Sequence, residues 1–199
     1  IWLDWMSQGA RVSGNLLHDN SNDLMVEMNH GPMLIDNNLF LSVKGGLLDA
    51  SGGGAYAHNL VRGRLTIWTD NLLPRHTPYF KPHSTDVIGP ETALTLTDKI
   101  AGITVDQNDD RYFNNLLAGA KFLTEYDANR YAIVANGNVY LGNSQPTQRE
   151  KNAVVEPKFD PRIKLTENEG VWWLEMEVDP AWQAKQKRPL VTCGLLGKA

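Results

Sequence analysis

The 199-residue sequence predicts an all-β chain wound as a parallel β-helix, and three observations point there. An Asn followed by two apolar residues recurs, at Asn15-Leu16-Leu17, Asn38-Leu39-Phe40, Asn59-Leu60-Val61, Asn115-Leu116-Leu117 and Asn138-Val139-Tyr140. The first three copies are 23 and 21 positions apart and the last two 23, a repeat length that belongs to solenoids. Between the copies lie short β-rich stretches, at 2–6, 10–17, 33–41 and 130–134, with no amphipathic run long enough for helical hairpins. An antiparallel sandwich with Asn in its turns is the alternative, but nothing in a sandwich demands a fixed period.

Each element follows from this repeat. In a β-helix the recurring Asn takes the bend between strands, and copies one coil apart stack their amides in a hydrogen-bonded ladder; the Leu and Val beside it are expected to point inward. The interval from Asn59 to Asn115 is 56 positions, one coil plus an excursion expected within about 62–109. That excursion is rich in Pro and polar aromatics around Tyr79 and His83, unsuited to a helix and placed to wall one face of the solenoid. The coils are therefore assigned to residues 1–143, with a linker or strap at 144–161. Residues 162–199 read as the start of a β-sandwich, from a hairpin turning at Glu169-Gly170 and a further strand around 190–196. The Trp172-Trp173 pair is expected to pack in the sandwich core, with a sugar-stacking platform as the other reading.

The chemistry is concentrated in acids. Sliding the second coil onto the first by 23 positions sets Val26-Glu27-Met28 on Leu3-Asp4-Trp5, and Leu47-Leu48-Asp49 follows at a shift of 22. Asp4, Glu27 and Asp49 are thus expected in one column, with carboxyls ~5 Å apart. Like charges stacked among apolar neighbours call for metal, proton sharing or catalysis. Calcium would need six to eight oxygens and an acidic loop, which is missing beside these residues. A retaining glycosidase needs two carboxyls about 5–5.5 Å apart. On that reading Glu27, flanked by Asp4 and Asp49, is the general acid, and Asp4 the nucleophile. The plain alternative is that one of these side chains faces away from the others and is merely solvated.

Around the column, Trp5 offers a stacking face for a pyranose, His30 follows Glu27 by three positions at a Gly-Pro turn, and Tyr79 and His83 reach the sugar if the excursion folds back. Asp49 completes the substrate-facing set, while Trp2 is read as packing and His58 as a structural turn residue. The five histidines lack zinc spacing, so no metal and no cofactor is assigned.

Four segments then carry a family resemblance: Ile1-Trp2-Leu3-Asp4-Trp5-Met6-Ser7-Gln8-Gly9, Val26-Glu27-Met28-Asn29-His30-Gly31-Pro32, Gly52-Gly53-Gly54-Ala55-Tyr56-Ala57-His58-Asn59-Leu60, and Thr77-Pro78-Tyr79 with His83-Ser84-Thr85. Together they resemble glycoside hydrolase family 120, retaining β-xylosidases built on a right-handed parallel β-helix with an associated β-sandwich. The resemblance implies Asp4 as nucleophile and Glu27 as acid/base, and xylo-oligosaccharides or aryl-β-xylosides as substrates. It also implies that coils preceding Asp4 are missing, in keeping with a chain that opens mid-strand without Met. Within enzymes the rival is a β-helix polysaccharide lyase, disfavoured because no Lys or Arg sits in the acidic column. From another class, the rival is a carbohydrate-binding solenoid without catalysis.

Composition sets the outer bounds. With 42% hydrophobic residues, 21% charged and a net charge of −4, the chain reads as globular, and no nucleic-acid partner is expected. No apolar run is long enough for a membrane span. The single Cys193 excludes an internal disulfide. A homo-oligomer is left open, as is the compartment, with a leaning to the cytoplasm because no signal-like segment is visible.

Overall fold

The structure is a computed structural model and describes residues 1–4, 7, 9–27, 29, 33–51, 53–67, 71–74, 102–105, 110–119, 123–128 and 133–196. The chain winds in coils of three short strands. The first coil holds β1 (Trp2–Leu3), β2 (Ala10–Ser13) and β3 (Leu16–Leu17). The second holds β4 (Leu24–Glu27), β5 (Met33–Asp36) and β6 (Leu39–Phe40), and the third β7 (Gly46–Ala50), β8 (Gly54–Ala57) and β9 (Leu60–Val61). In the fourth, β10 (Arg64–Ile67) is separated from β13 (Arg111–Phe113) and β14 (Leu116–Leu117) by a segment whose described part is an antiparallel pair, β11 (Asn71–Pro74) with β12 (Gly102–Val105). Then a 3-10 helix (Leu123–Ala128) occupies the place of the first strand, packed on β10, before β15 (Val134–Asn136), β16 (Val139–Leu141) and β17 (Val154–Glu156).

Equivalent strands stack in parallel into three walls, β1-β4-β7-β10, β2-β5-β8-β13-β15 and β3-β6-β9-β14-β16-β17. This is the expected parallel β-helix. One boundary shifts from the sequence reading. The excursion, expected within about 62–109, follows Ile67, because Arg64–Ile67 pairs in register with Gly46–Asp49. The expected strap at 144–161 contains a further rung, since Val154–Glu156 pairs with Val139–Leu141.

The lumen is a set of side-chain columns. Val12, Ile35, Tyr56 and Tyr112 lie on successive rungs of the second wall, and Phe40, Val61, Leu117 and Tyr140 on the third, all buried. Stacking identical positions removes every one of these side chains from water at once. Tyr56 and Tyr112 stack face to face, with ring centroids 4.6 Å apart and planes 4° apart.

The ladder forms as expected. Asn15, Asn38, Asn59 and Asn115 each donate Nδ2 to the Oδ1 of the next Asn at 2.9–3.0 Å. Each of these amides also donates to a backbone carbonyl, Asn15 to Ser13 two residues before it and the others to the previous coil, as Asn59 does to Ile35. Glu150 ends the run, accepting from Asn138 and from the Tyr140 hydroxyl. Two details differ from expectation. The left-handed bend is taken by the residue before each Asn (Gly14, Asn37, His58, Asn114 and Gly137, φ 69°, 55°, 58°, 56° and 74°), which leaves the ladder Asn free to turn its amide inward. Of the two apolar residues after each Asn, only the second enters the lumen in the inner coils; Leu39, Leu60 and Leu116 lie outside it, packed against other clusters. The corners closing the third wall need Gly: a Cβ on Gly63 would collide with the Gly45 carbonyl, and one on Gly119 with that of Gly63.

The C-terminal segment folds onto the outer face of the third wall. β18 (Lys164–Asn168) and β19 (Val171–Glu175) form the expected antiparallel hairpin, turned through Glu169 and Gly170, both with positive φ. Two expectations fail here. Residues 193–196 are helical (Cys193–Leu196) rather than a strand. Trp172 and Trp173 are 46% and 59% exposed rather than core: they point to opposite faces of the strand, Trp172 against the His18 ring with centroids 4.5 Å apart, and among the described residues no second sheet packs on the hairpin. A helix (Pro180–Lys185), capped by the Asp179 carboxylate, seats Trp182 against Phe159 and the β16–β17 edge.

Candidate active site

Register decides what each acid can meet. Trp2 pairs with Met25 and Leu3 with Val26, so Asp4 and Glu27 come next on neighbouring strands. Val26 is in the core, and side chains alternate along a strand. Glu27 therefore projects to the outside of the first wall, while Asp4 lies just past the end of β1, after Leu3, and is exposed. Neighbouring strands run about 4.8 Å apart, close to the about 5–5.5 Å that separates the carboxyls of a retaining pair.

Asp49 is not in that column. The pairing continues Leu24 with Leu47, Val26 with Asp49 and Glu27 with Ala50, a shift of 23 where the sequence reading used 22. A one-residue slip turns a side chain to the opposite face, so Asp49 joins Leu3, Val26 and Ile67 in an inward column. It is 1% exposed and touches no outer surface where a sugar could lie. With it goes the expectation that Glu27 stands between two acids.

Inside the lumen Asp49 belongs to a network that the sequence did not reveal. Its Oδ2 accepts from the Tyr56 hydroxyl at 2.7 Å and, more distantly, from Tyr126 at 3.3 Å, and its Oδ1 accepts from the Ser51 N–H. Tyr126 also donates to Asp110 at 2.9 Å and lies 2.9 Å from the Tyr112 hydroxyl. Burial pushes the Asp49 carboxyl up to about 6, against the opposing pull of Tyr56, the Ser51 N–H and Tyr126. Burial likewise drives the hydroxyls of Tyr56, Tyr112 and Tyr126 well above the usual tyrosine range. These groups face the lumen, on the opposite side of the wall from Glu27.

On the outer face the structure adds Trp2, which the sequence reading assigned to packing. It is 60% exposed and its Nε1 donates to Glu27 Oε2 at 3.1 Å, fixing where that carboxylate points. Parity was the available signal: Trp2 and Asp4 are two apart, so they share a face. Behind the column, Ser7 donates to the Asp4 carbonyl from both N–H and Oγ, and Asn29 Nδ2 donates to the Leu3 carbonyl. These bonds hold the turn after each acid. Trp5, His30, Tyr79 and His83 lie outside the described residues. Among the described residues no group of three His, Cys, Asp or Glu stands together as metal ligands.

Fold and wall geometry together define a parallel β-helix with Glu27 on the outside of its first wall and Asp4 exposed at the end of the neighbouring strand. No family model matches the chain, and no curated protein matches it. Among solved structures it is similar to the complex of XylC with xylose, at a TM-score of 0.71 and 24% identity. That alignment takes in 92% of this chain and 31% of the other, so the chain spans about a third of the length of its structural neighbour. The similarity establishes the fold.

Proposed function

We propose that the chain carries the catalytic acids of a retaining glycoside hydrolase that releases β-linked xylose from xylo-oligosaccharides. What carries this reading is the register of the first two coils: Leu3 pairs with Val26, so the acids that follow them, Asp4 and Glu27, are proposed to share one outward column. The resemblance of their flanking segments to glycoside hydrolase family 120 supports it, as does a structural neighbour solved with xylose. Asp4 attacks the anomeric carbon while Glu27 protonates the departing glycosidic oxygen, giving a covalent xylosyl-enzyme. Glu27, now a carboxylate, takes a proton from water, which attacks the same carbon and frees xylose with its configuration retained. The indole N–H of Trp2 holds the Glu27 carboxyl toward that oxygen throughout. Trp5, His30, Tyr79 and His83 are proposed as sugar contacts, and the segment from 162 onward as the beginning of a β-sandwich.

A 2-deoxy-2-fluoro-β-xyloside with a good leaving group tests the mechanism, because it stalls at the covalent stage. Peptide mass spectrometry is expected to find one fluoroxylosyl group, on Asp4, and proton NMR of aryl-β-xyloside hydrolysis is expected to show the β-anomer first. Label on another residue, or initial release of the α-anomer, would remove the assignment.

A further inference from the structure

The buried amides of the ladder use both ends: in Asn38, Asn59 and Asn115, Nδ2 donates along the stack and Oδ1 accepts from the coil before. Asn29 is different. It is buried, and its Oδ1 has no hydrogen-bond partner, a condition that costs about 1–3 kcal/mol. What the amide does hold is at its other end, where Nδ2 donates to the Leu3 carbonyl at 3.0 Å. Turning the amide over would set Oδ1 against that carbonyl, acceptor facing acceptor. The orphaned oxygen is therefore the cost of keeping this one donation.

The bond stands in a telling place. Asn29 follows Glu27 by two residues on the chain leaving β4, and the peptide it grips is the one that enters Asp4. It ties the segment bearing one acid directly to the segment bearing the other, across two coils. Asp4 lies past the last paired residue of β1, so strand pairing no longer fixes the backbone there. Its own carbonyl is held by Ser7 Oγ at 2.7 Å and the one before it by Asn29, which fixes the peptides on both sides of the acid. Asn29 is anchored in turn: its N–H donates to Ser51 Oγ at 2.9 Å, and the Ser51 N–H donates to the buried Asp49 carboxyl at 3.1 Å. Support of this kind, from a side chain locked by its own hydrogen bonds, is what holds reacting groups to a productive geometry.

We propose that Asn29 is a positioning residue of the glycosidase: through the Leu3 carbonyl it sets how far Asp4 stands from Glu27, and so the separation of about 5–5.5 Å that a retaining pair requires. Sealed from solvent, it acts without touching the sugar. The inference rests on the reading of Asp4 and Glu27 given above.

The test follows the step in which Asp4 attacks. With the 2-deoxy-2-fluoro-β-xyloside, the rate constant for labelling of Asp4 is measured against reagent concentration in the parent, in Asn29→Ala and in Asn29→Leu, which fills the same space and removes the orphaned oxygen together with the donor. Rate constants are taken per folded molecule, with the folded fraction from near-ultraviolet circular dichroism, so a variant that only folds less well shows no effect. In both variants the saturating rate constant is expected to fall about 10–100-fold, with the half-saturating concentration at the parent's value. A parent that is not labelled on Asp4 overturns the reading of the acids and this inference with it. A labelled parent with both variants labelled equally fast overturns this inference alone. So does an effect confined to half-saturation, which would make Asn29 a binding contact, or loss of the fold in both variants, which would make it architecture.

Discussion

Two pairs of acids sit on the same stack of coils and have opposite fates. Glu27 faces outward from the first wall and Asp4 is exposed at the end of the neighbouring strand, whereas Asp49, one register step away, faces the lumen and meets Asp110 through the Tyr126 hydroxyl. The outer pair is the one proposed to meet a substrate. The inner pair is sealed among three tyrosines whose hydroxyls satisfy its oxygens, and its cost is met by hydrogen bonding rather than by water. In a β-helix, then, the face an acid occupies decides between chemistry and architecture, and one residue of register sets the face.

Substitutions can break or sharpen that contrast. The largest expected effect is on the outer pair: Glu27→Gln lowers turnover of an aryl-β-xyloside by about 10²–10⁴-fold, and Asp4→Asn by at least as much. Both leave the unfolding free energy from urea titration within about 0.5 kcal/mol of the parent. A comparable loss of stability would place these side chains in the architecture after all.

Next comes the lumen. Asn59→Ala leaves the Asn38 amide and the Ile35 carbonyl without their partner, and is expected to cost on the order of 3 kcal/mol in a denaturation curve. Substrate affinity of the molecules that remain folded should be unchanged. A variant as stable as the parent would mean that the ladder is ornamental.

The pH dependence of stability separates the pairs more finely. Asp49 titrates near 6 when folded against about 3.9 in an unfolded chain, so the native state holds the extra proton between those values. Its stabilising contribution is complete below about pH 4 and is lost as pH rises through 6, at up to about 1.4 kcal/mol per unit. Asp36 acts in the other direction. Its ion pair with Arg11 holds it below the usual carboxylate range, so its contribution is present above about pH 4 and fades in more acid solution. Urea titrations of Asp49→Asn should therefore lack the decline between about pH 4 and 6. If that decline persists undiminished, its source is elsewhere, Glu150 being another carboxyl raised by burial among the described residues.

The smallest expected effect is at Trp2. Trp2→Phe keeps the ring and removes one hydrogen bond to Glu27, worth about 0.5–1.5 kcal/mol, so kcat should fall a few-fold with KM nearly constant. A change confined to KM would make the indole a sugar contact instead of a positioning residue.

Much of this was legible in the sequence because a solenoid repeats its instructions. The Asn-apolar-apolar units marked the coil length, and the Asp4–Glu27 spacing of 23 marked one column, since both signals are local and periodic. Asp49 was misplaced because coil lengths vary between 21 and 23, and parity depends on which value holds at each rung. Tyr126 was invisible for a different reason: a 3-10 helix replaces the expected strand there and delivers its hydroxyl from outside the period.

The amino-acid order by itself determined the winding, the ladder and the pair of acids one coil apart, because stacking equal positions follows directly from equal spacing. Tertiary structure alone decided that Asp49 turns inward, that Asp110 returns from residues far along the chain to share Tyr126 with it, and that the C-terminal segment folds back over Leu39 and Leu60. Those outcomes depend on register and on long-range packing, which compete between faces of the same strand and leave no periodic trace.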